Sequence, residues 1–140
     1  MGKIILPRIM WLLLTGLMLS PSLLLAADAT ITVTKEQGGR EITIKVGNIL
    51  LIELPGQGGT GYSWSVEAAG APYVKLMDHT TRQPTEDRLG GPVRVGGPVM
   101  HVWRFKAEKP GACEIKMAYY RPWEGVGKAV DHFRLKLRIE

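Results

Sequence analysis

Gly56-Gln57-Gly58-Gly59-Thr60-Gly61 spells G-x-G-x-x-G, the spacing with which a glycine-rich turn cradles a dinucleotide pyrophosphate. That chemistry needs a helix immediately after the turn, because the helix N-terminus supplies the N–H groups that hold the anion. The residues that follow, Tyr62 to Val66, alternate, contain two aromatics and have no helical period. The phosphate reading fails on that context. Gly61-Tyr62-Ser63-Trp64-Ser65 approaches the G-x-S-x-G nucleophile elbow, but Ser65 stands at the final glycine and again no helix follows. Ser63 reads as an outward strand residue. His79, His101 and His132 lack metal-ligand spacing and a set of cysteine partners. Asp78-His79 and Asp131-His132 are merely adjacent pairs. No enzyme, metal or cofactor is expected.

The elements that must position these residues are strands. Ile31 and Val33 alternate with threonines, and Ile42, Ile44 and Val46 alternate with Glu41, Thr43 and Lys45. Gln37-Gly38-Gly39-Arg40 between them reads as a hairpin-like turn. Ile49 to Leu54 is more continuously apolar, as a strand covered on both faces would be. Tyr62, Trp64 and Val66 share one face at a spacing of two. After Gly70-Ala71-Pro72, a short strand is predicted over Tyr73 to Met77. Asp78 to Pro98 is the longest irregular region, polar and rich in Gly and Pro, and a loop of that length is functional or mobile as a rule. His101, Trp103, Phe105 and Ala107 share a face. So do Cys113, Ile115, Met117 and Tyr119, and finally Phe133, Leu135, Leu137 and Ile139. Short alternating strands with turns at fairly even intervals predict an all-β sandwich.

The chain has 140 residues, enough for one domain. Lys3 and Arg8 precede an apolar run from Ile9 to Leu19, and Ala27 and Ala29 are small residues suited to cleavage. Residues 1–27 are therefore expected to be a signal peptide and 28–140 the folded domain. A retained anchor is the alternative for the same run, but Pro21 and the small residues favour cleavage. The expected location is secreted or periplasmic. The mature part has about 112 residues, a common domain size. Loss of Lys3 and Arg8 takes two from the 18 basic side chains, against 13 acidic ones, leaving a net charge near +3. No basic stripe points to nucleic acid, and no stable membrane association is expected after cleavage. Cys113 is the single cysteine, so no internal disulfide can form and apolar burial must hold the core. In phase with Ile115 and Met117, it reads as a small buried hydrophobe.

The strand ending at Ala107 and the one starting at Ala112 flank the short turn Lys109-Pro110-Gly111 and are expected to pair as a hairpin. The far ends of that hairpin, Gly96-Gly97-Pro98 and Arg121-Pro122-Trp123, would then share one rim. Trp64 and Trp103 sit in apolar phase and belong to the core. Trp123 follows a proline beyond its strand and reads either as a lid over the core or as a binding anchor.

Taken together, Thr60-Gly61-Tyr62, Gly96-Gly97-Pro98 before an aromatic-x-aromatic strand, Lys109-Pro110-Gly111, and Arg121-Pro122-Trp123-Glu124 resemble the chagasin family of cysteine-protease inhibitors over nearly all of the mature chain. The resemblance implies an immunoglobulin-like β-sandwich whose three end loops enter or flank the cleft of a papain-like cysteine protease. By position it implies protease-binding roles for Gly59, Thr60, Gly61, Tyr62, Gly96, Gly97, Pro98, Arg121, Pro122 and Trp123. It implies a reversible, non-enzymatic inhibitor acting as a monomer. Gln57, Gly58 and Gly59 stand where the family has Asn, Pro and Thr, an exchange that raises the ordering cost of a loop. Val99 stands at a usual glycine. The competing class is an exported immunoglobulin-like adhesion or scaffold module using the same loops on another partner; fold alone does not separate the two.

Overall fold

The computed structural model describes residues 28–83 and 96–140. The expected signal peptide over 1–27 and most of the polar region between Asp78 and Pro98 lie outside the described residues. The strands are β1 (Thr30–Thr34), β2 (Glu41–Ile44), β3 (Ile49–Gln57), β4 (Ser63–Ala69), β5 (Val74–Arg82), β6 (Pro98–Ala107), β7 (Gly111–Tyr120) and β8 (Asp131–Ile139). Single 3-10 turns at Lys35–Gln37 and Val126–Lys128 are the helical elements among the described residues. The strands form two four-stranded sheets, ordered β1-β3-β6-β5 and β2-β8-β7-β4. The all-β sandwich expected from the alternation is the fold found.

Alternation builds the core directly. On β8, Phe133, Leu135, Leu137 and Ile139 are buried while Arg134, Lys136 and Arg138 face solvent. On β6, Trp103 and Phe105 are buried from the opposite sheet. A period of two sends every second side chain inward. Each large apolar side chain so buried stabilises the fold by roughly 1.5–3 kcal/mol.

Several expectations need correction. β6 and β7 do not pair: β6 lies between β3 and β5, and β7 between β8 and β4 in the other sheet. The Lys109-Pro110-Gly111 connection carries the chain from one sheet to the other. The N–H groups of Glu108 and Lys109 both donate to Tyr73 O, at 2.8 and 3.2 Å, which ties that crossing to the start of β5. Both strands offer a buried face to one core, and pairing each within its own sheet lets Trp103 and Phe105 meet that core from one side and Ile115 and Met117 from the other. β1 and β2 likewise form no hairpin. β1 runs parallel to β3 and β2 parallel to β8, and the 3-10 turn Lys35–Gln37 bridges the sheets. β3 is fully buried on one face only, by Leu50, Ile52 and Leu54; Leu51 and Glu53 are half-exposed. β5 continues past Met77 to Arg82 by pairing with β6, after a bulge between Leu76 and Asp78. The polar residues that hid this strand are those of an exposed edge.

Candidate functional site

β3 ends at Gln57, paired with Pro98 on β6, and β4 begins at Ser63, paired with Tyr120 on β7. The segment 58–62 therefore crosses from one sheet to the other between the start of β6 and the end of β7. The three loops share a rim as expected, but the β3–β4 crossing brings them together where a β6–β7 hairpin was expected to.

The central loop is fastened on three sides. Towards β6, Gly58 N–H donates to Gly97 O at 3.0 Å, and the Gln57 side-chain amide donates to Gly96 O at 2.7 Å. From beneath, the Tyr119 hydroxyl accepts the Gln57 N–H at 2.9 Å, while the Tyr119 ring stacks on Tyr62 and packs against Trp64. Towards β7, Arg121 Nε donates to Thr60 O at 3.0 Å, and the guanidinium lies 4.5 Å from the Tyr62 ring centre. Within the loop, the Thr60 hydroxyl donates to Gln57 O at 3.0 Å. Its proton is turned inward, and the backbone of Gly59 and Gly61 is what the loop exposes.

Trp123 is 71% exposed, which rules out a lid over the core. It lies across Gly61 instead. A Cβ built on Gly61 would come 2.2 Å from Trp123 Cη2, and φ there is +79°. Only glycine meets both conditions, the left-handed backbone and the close approach of the indole. Arg121 also reaches Glu124 at 3.6 Å and lies 5.9 Å from the Trp123 ring, so it spans the third loop and the first. Pro98 and Val99 are already strand residues, and no described non-glycine residue has a positive φ. Val99 thus fits its position as extended backbone.

Beneath the loops, the Trp64 indole N–H donates to Pro55 O at 2.9 Å and ties β4 to β3. Alongside, His79 Nε2 and His101 Nδ1 meet at 3.3 Å, and His79 stacks on Trp103. Burial holds the His79 imidazole below its ordinary pKa. His101 is lowered first by burial and then by the charge of His79. His101 also packs under Gly56, where a Cβ would fall 2.8 Å from its Nε2. Among the described residues no group of three or more His, Cys, Asp or Glu side chains could hold a metal ion. Cys113 is half-buried, not fully buried as its phase suggested, and burial raises its thiol pKa.

Gly59, Thr60, Gly61, Tyr62, Gly96, Gly97, Arg121 and Trp123 thus meet at one rim, with Pro98 opening β6 and Pro122 joining Arg121 to Trp123. Sequence reasoning missed two residues of this assembly. Gln57 figured only as a departure from a motif, and Tyr119 only as an inward strand position. The available signal was the phenolic oxygen at a strand end, since a half-buried tyrosine needs a partner for its hydroxyl.

Comparison with known proteins agrees with this architecture. Chagasin of Trypanosoma cruzi is 26% identical over 109 residues, 76% of this chain and 94% of that protein. The crystal structure of a cysteine protease inhibitor from Entamoeba histolytica superposes with a TM-score of 0.67 at 24% identity, covering 80% of this chain and 96% of that one. The structure of PbICP-C in complex with falcipain-2 superposes with a TM-score of 0.50 at 23% identity, covering 81% and 93%. The family description "Chagasin family peptidase inhibitor I42" matches residues 43–137, and the chain belongs to that family, one of protease inhibitors and not of enzymes.

Proposed function

We propose that this protein is an exported, reversible inhibitor of papain-like cysteine proteases that fills the active-site cleft with its three-loop rim. The observation that carries the reading is the mutual fastening of the loops, topped by an exposed tryptophan resting on Gly61. A surface tryptophan on a rigid support is the kind of residue that anchors an interface. The names of the Entamoeba inhibitor and of the falcipain-2 complex support a cysteine protease as partner.

The geometry explains how a peptide loop can occupy such a cleft without being cut. A protease attacks a carbonyl whose oxygen it polarises with its own donors. The Thr60 carbonyl, at the centre of the loop, already accepts a hydrogen bond from Arg121. The loop is a tight turn with positive φ at Gly59 and Gly61, not the extended backbone of a substrate. Gly59 and Gly61 present backbone to the centre of the cleft. Trp123 stacks to one side, with Pro122 setting its approach, and Gly96, Gly97 and Pro98 close the other side. Three contacts on one scaffold lose less entropy on binding than a flexible peptide would.

Export follows in this reading from residues 1–27 acting as a cleaved signal peptide, which leaves a secreted or periplasmic monomer. Intact-mass measurement should show a mature start at Asp28 or Thr30; a full-length mass in a membrane fraction would overturn that part. For inhibition, the mature protein is titrated against papain. Residual activity should fall to near zero and return on dilution. Undiminished papain activity in excess protein would overturn the function.

A further inference from the structure

We propose that Gln57 is the positioning residue of the rim, the brace that sets the distance between the first and second loops. The proposal rests on the inhibitor reading for its consequence, but the bracing itself is a property of the free protein. Gln57 is exposed and carries no part of the core, yet its side-chain amide, its N–H and its carbonyl each face a different piece of the rim. Its side-chain amide donates to Gly96 O at 2.7 Å. Its backbone N–H donates to the Tyr119 hydroxyl at 2.9 Å, at the base of the third loop. Its carbonyl accepts from the Thr60 hydroxyl at 3.0 Å, in its own loop.

The side-chain bond matters most because the loops are otherwise so bare. Gly58, Gly59, Gly96 and Gly97 have no side chains with which to hold each other. Among the described residues, and beyond the end of the β3–β6 ladder at Gln57 and Pro98, the Gln57 amide is accompanied by a backbone bond from Gly58 N–H to Gly97 O at 3.0 Å. Glycines carry the largest backbone entropy in the free chain. The Gln57 amide closes a second bond beside the first, so the pair resists shear as one bond cannot. A carbonyl oxygen can only accept, so the Nε2 end must face Gly96. A carboxylate of the same length would set oxygen against oxygen.

A brace acts by populating the binding-competent arrangement before encounter. Its removal lowers the competent fraction and therefore slows association, whereas loss of a direct contact speeds dissociation. Gln57→Met keeps the length and removes the donor, and Gln57→Glu keeps the shape and reverses the interaction. With papain, Gln57→Met should associate about fivefold more slowly, the worth of one hydrogen bond, and Gln57→Glu more slowly still. Dissociation of both should stay near that of the parent, and the melting temperature should fall by no more than a few degrees, the shift that one hydrogen bond produces. In the free protein, amide exchange at Gly58 should be faster in both variants, a readout that needs no protease. Parental exchange at Gly58 in both variants overturns the brace. Faster dissociation with unchanged association also overturns it and makes Gln57 a direct contact. If the parent fails to inhibit papain, the inhibitor reading falls and the Gly58 exchange still decides the brace.

Discussion

The interior and the rim place tryptophan in opposite settings. Trp64 and Trp103 are 4% and 2% exposed and pack in the core of the sandwich, with the Trp64 indole N–H satisfied by Pro55. Trp123 is 71% exposed and rests on Gly61, with Arg121 beside its ring. The interior is held by buried area, which is non-directional and proportional to the apolar surface removed from water. The rim leaves its largest apolar side chain, Trp123, exposed and so gains little from burying it. It is held by directional bonds to loop backbone, at Gln57, Gly58, Thr60, Gly96 and Gly97, each worth about 1 kcal/mol net. Stability and binding are thereby assigned to different residues, and the two can be broken separately.

The largest expected effect lies in the interior. Phe105 is fully buried, so Phe105→Ala should cost about 3–5 kcal/mol of folding stability, read from denaturant unfolding, with inhibition lost only as far as the protein unfolds. At the rim the pattern should invert. Trp123→Ala should weaken inhibition of papain by roughly 2–4 kcal/mol, the range of an aromatic hot spot, while the melting temperature stays close to the parent's. Gly61→Val should fail in the same assay, because a side chain there meets the indole and a disfavoured φ. If Trp123→Ala destabilised the fold as much as Phe105→Ala does, the division between interior and rim would be wrong.

A smaller effect tests the boundary between the two regions, where His101 sits under Gly56 and against His79. Both imidazoles are held below their ordinary value, so the unfolded chain binds protons that the folded one refuses. Stability should be full above about pH 6.5, the ordinary histidine pKa, and should fall as pH drops through that value towards the lowered folded ones. Melting temperatures between pH 7.5 and 5.0 should decline more steeply for the parent than for His101→Gln. Equal slopes would remove the histidine pair as the cause. Least of all should come from Cys113→Ala, expected to change stability by under about 1 kcal/mol and inhibition not at all. The native thiol should label slowly, because its raised pKa leaves little thiolate.

Legibility followed the range of the interactions involved. The inward sets on β6, β7 and β8 were readable because a strand's period is local, and a run of five alternating residues already declares which face is apolar. The rejection of a nucleotide site was readable for the same reason: β4 follows the glycine-rich turn directly. β5 beyond Met77 was not readable. Its edge residues are polar, and only its partner β6 makes them a strand. The supposed β6–β7 hairpin failed because a short turn fixes distance and leaves open whether two strands pair or cross between sheets.

From its residues alone the chain determined an all-β sandwich, its apolar faces, and the three loops carrying Thr60-Gly61-Tyr62, Gly96-Gly97-Pro98 and Arg121-Pro122-Trp123. These rest on periodicity and turn chemistry, which act within a few residues. Tertiary structure alone decided that Gln57 reaches Gly96, that the Tyr119 hydroxyl lies under Gln57, that Arg121 occupies the Thr60 carbonyl and that Trp123 lies on Gly61. Those contacts join residues 39 to 62 positions apart. They exist only because two sheets stack with the β3–β4 crossing at their shared end, and no local pattern encodes which polar atoms such a stacking will bring within hydrogen-bond distance.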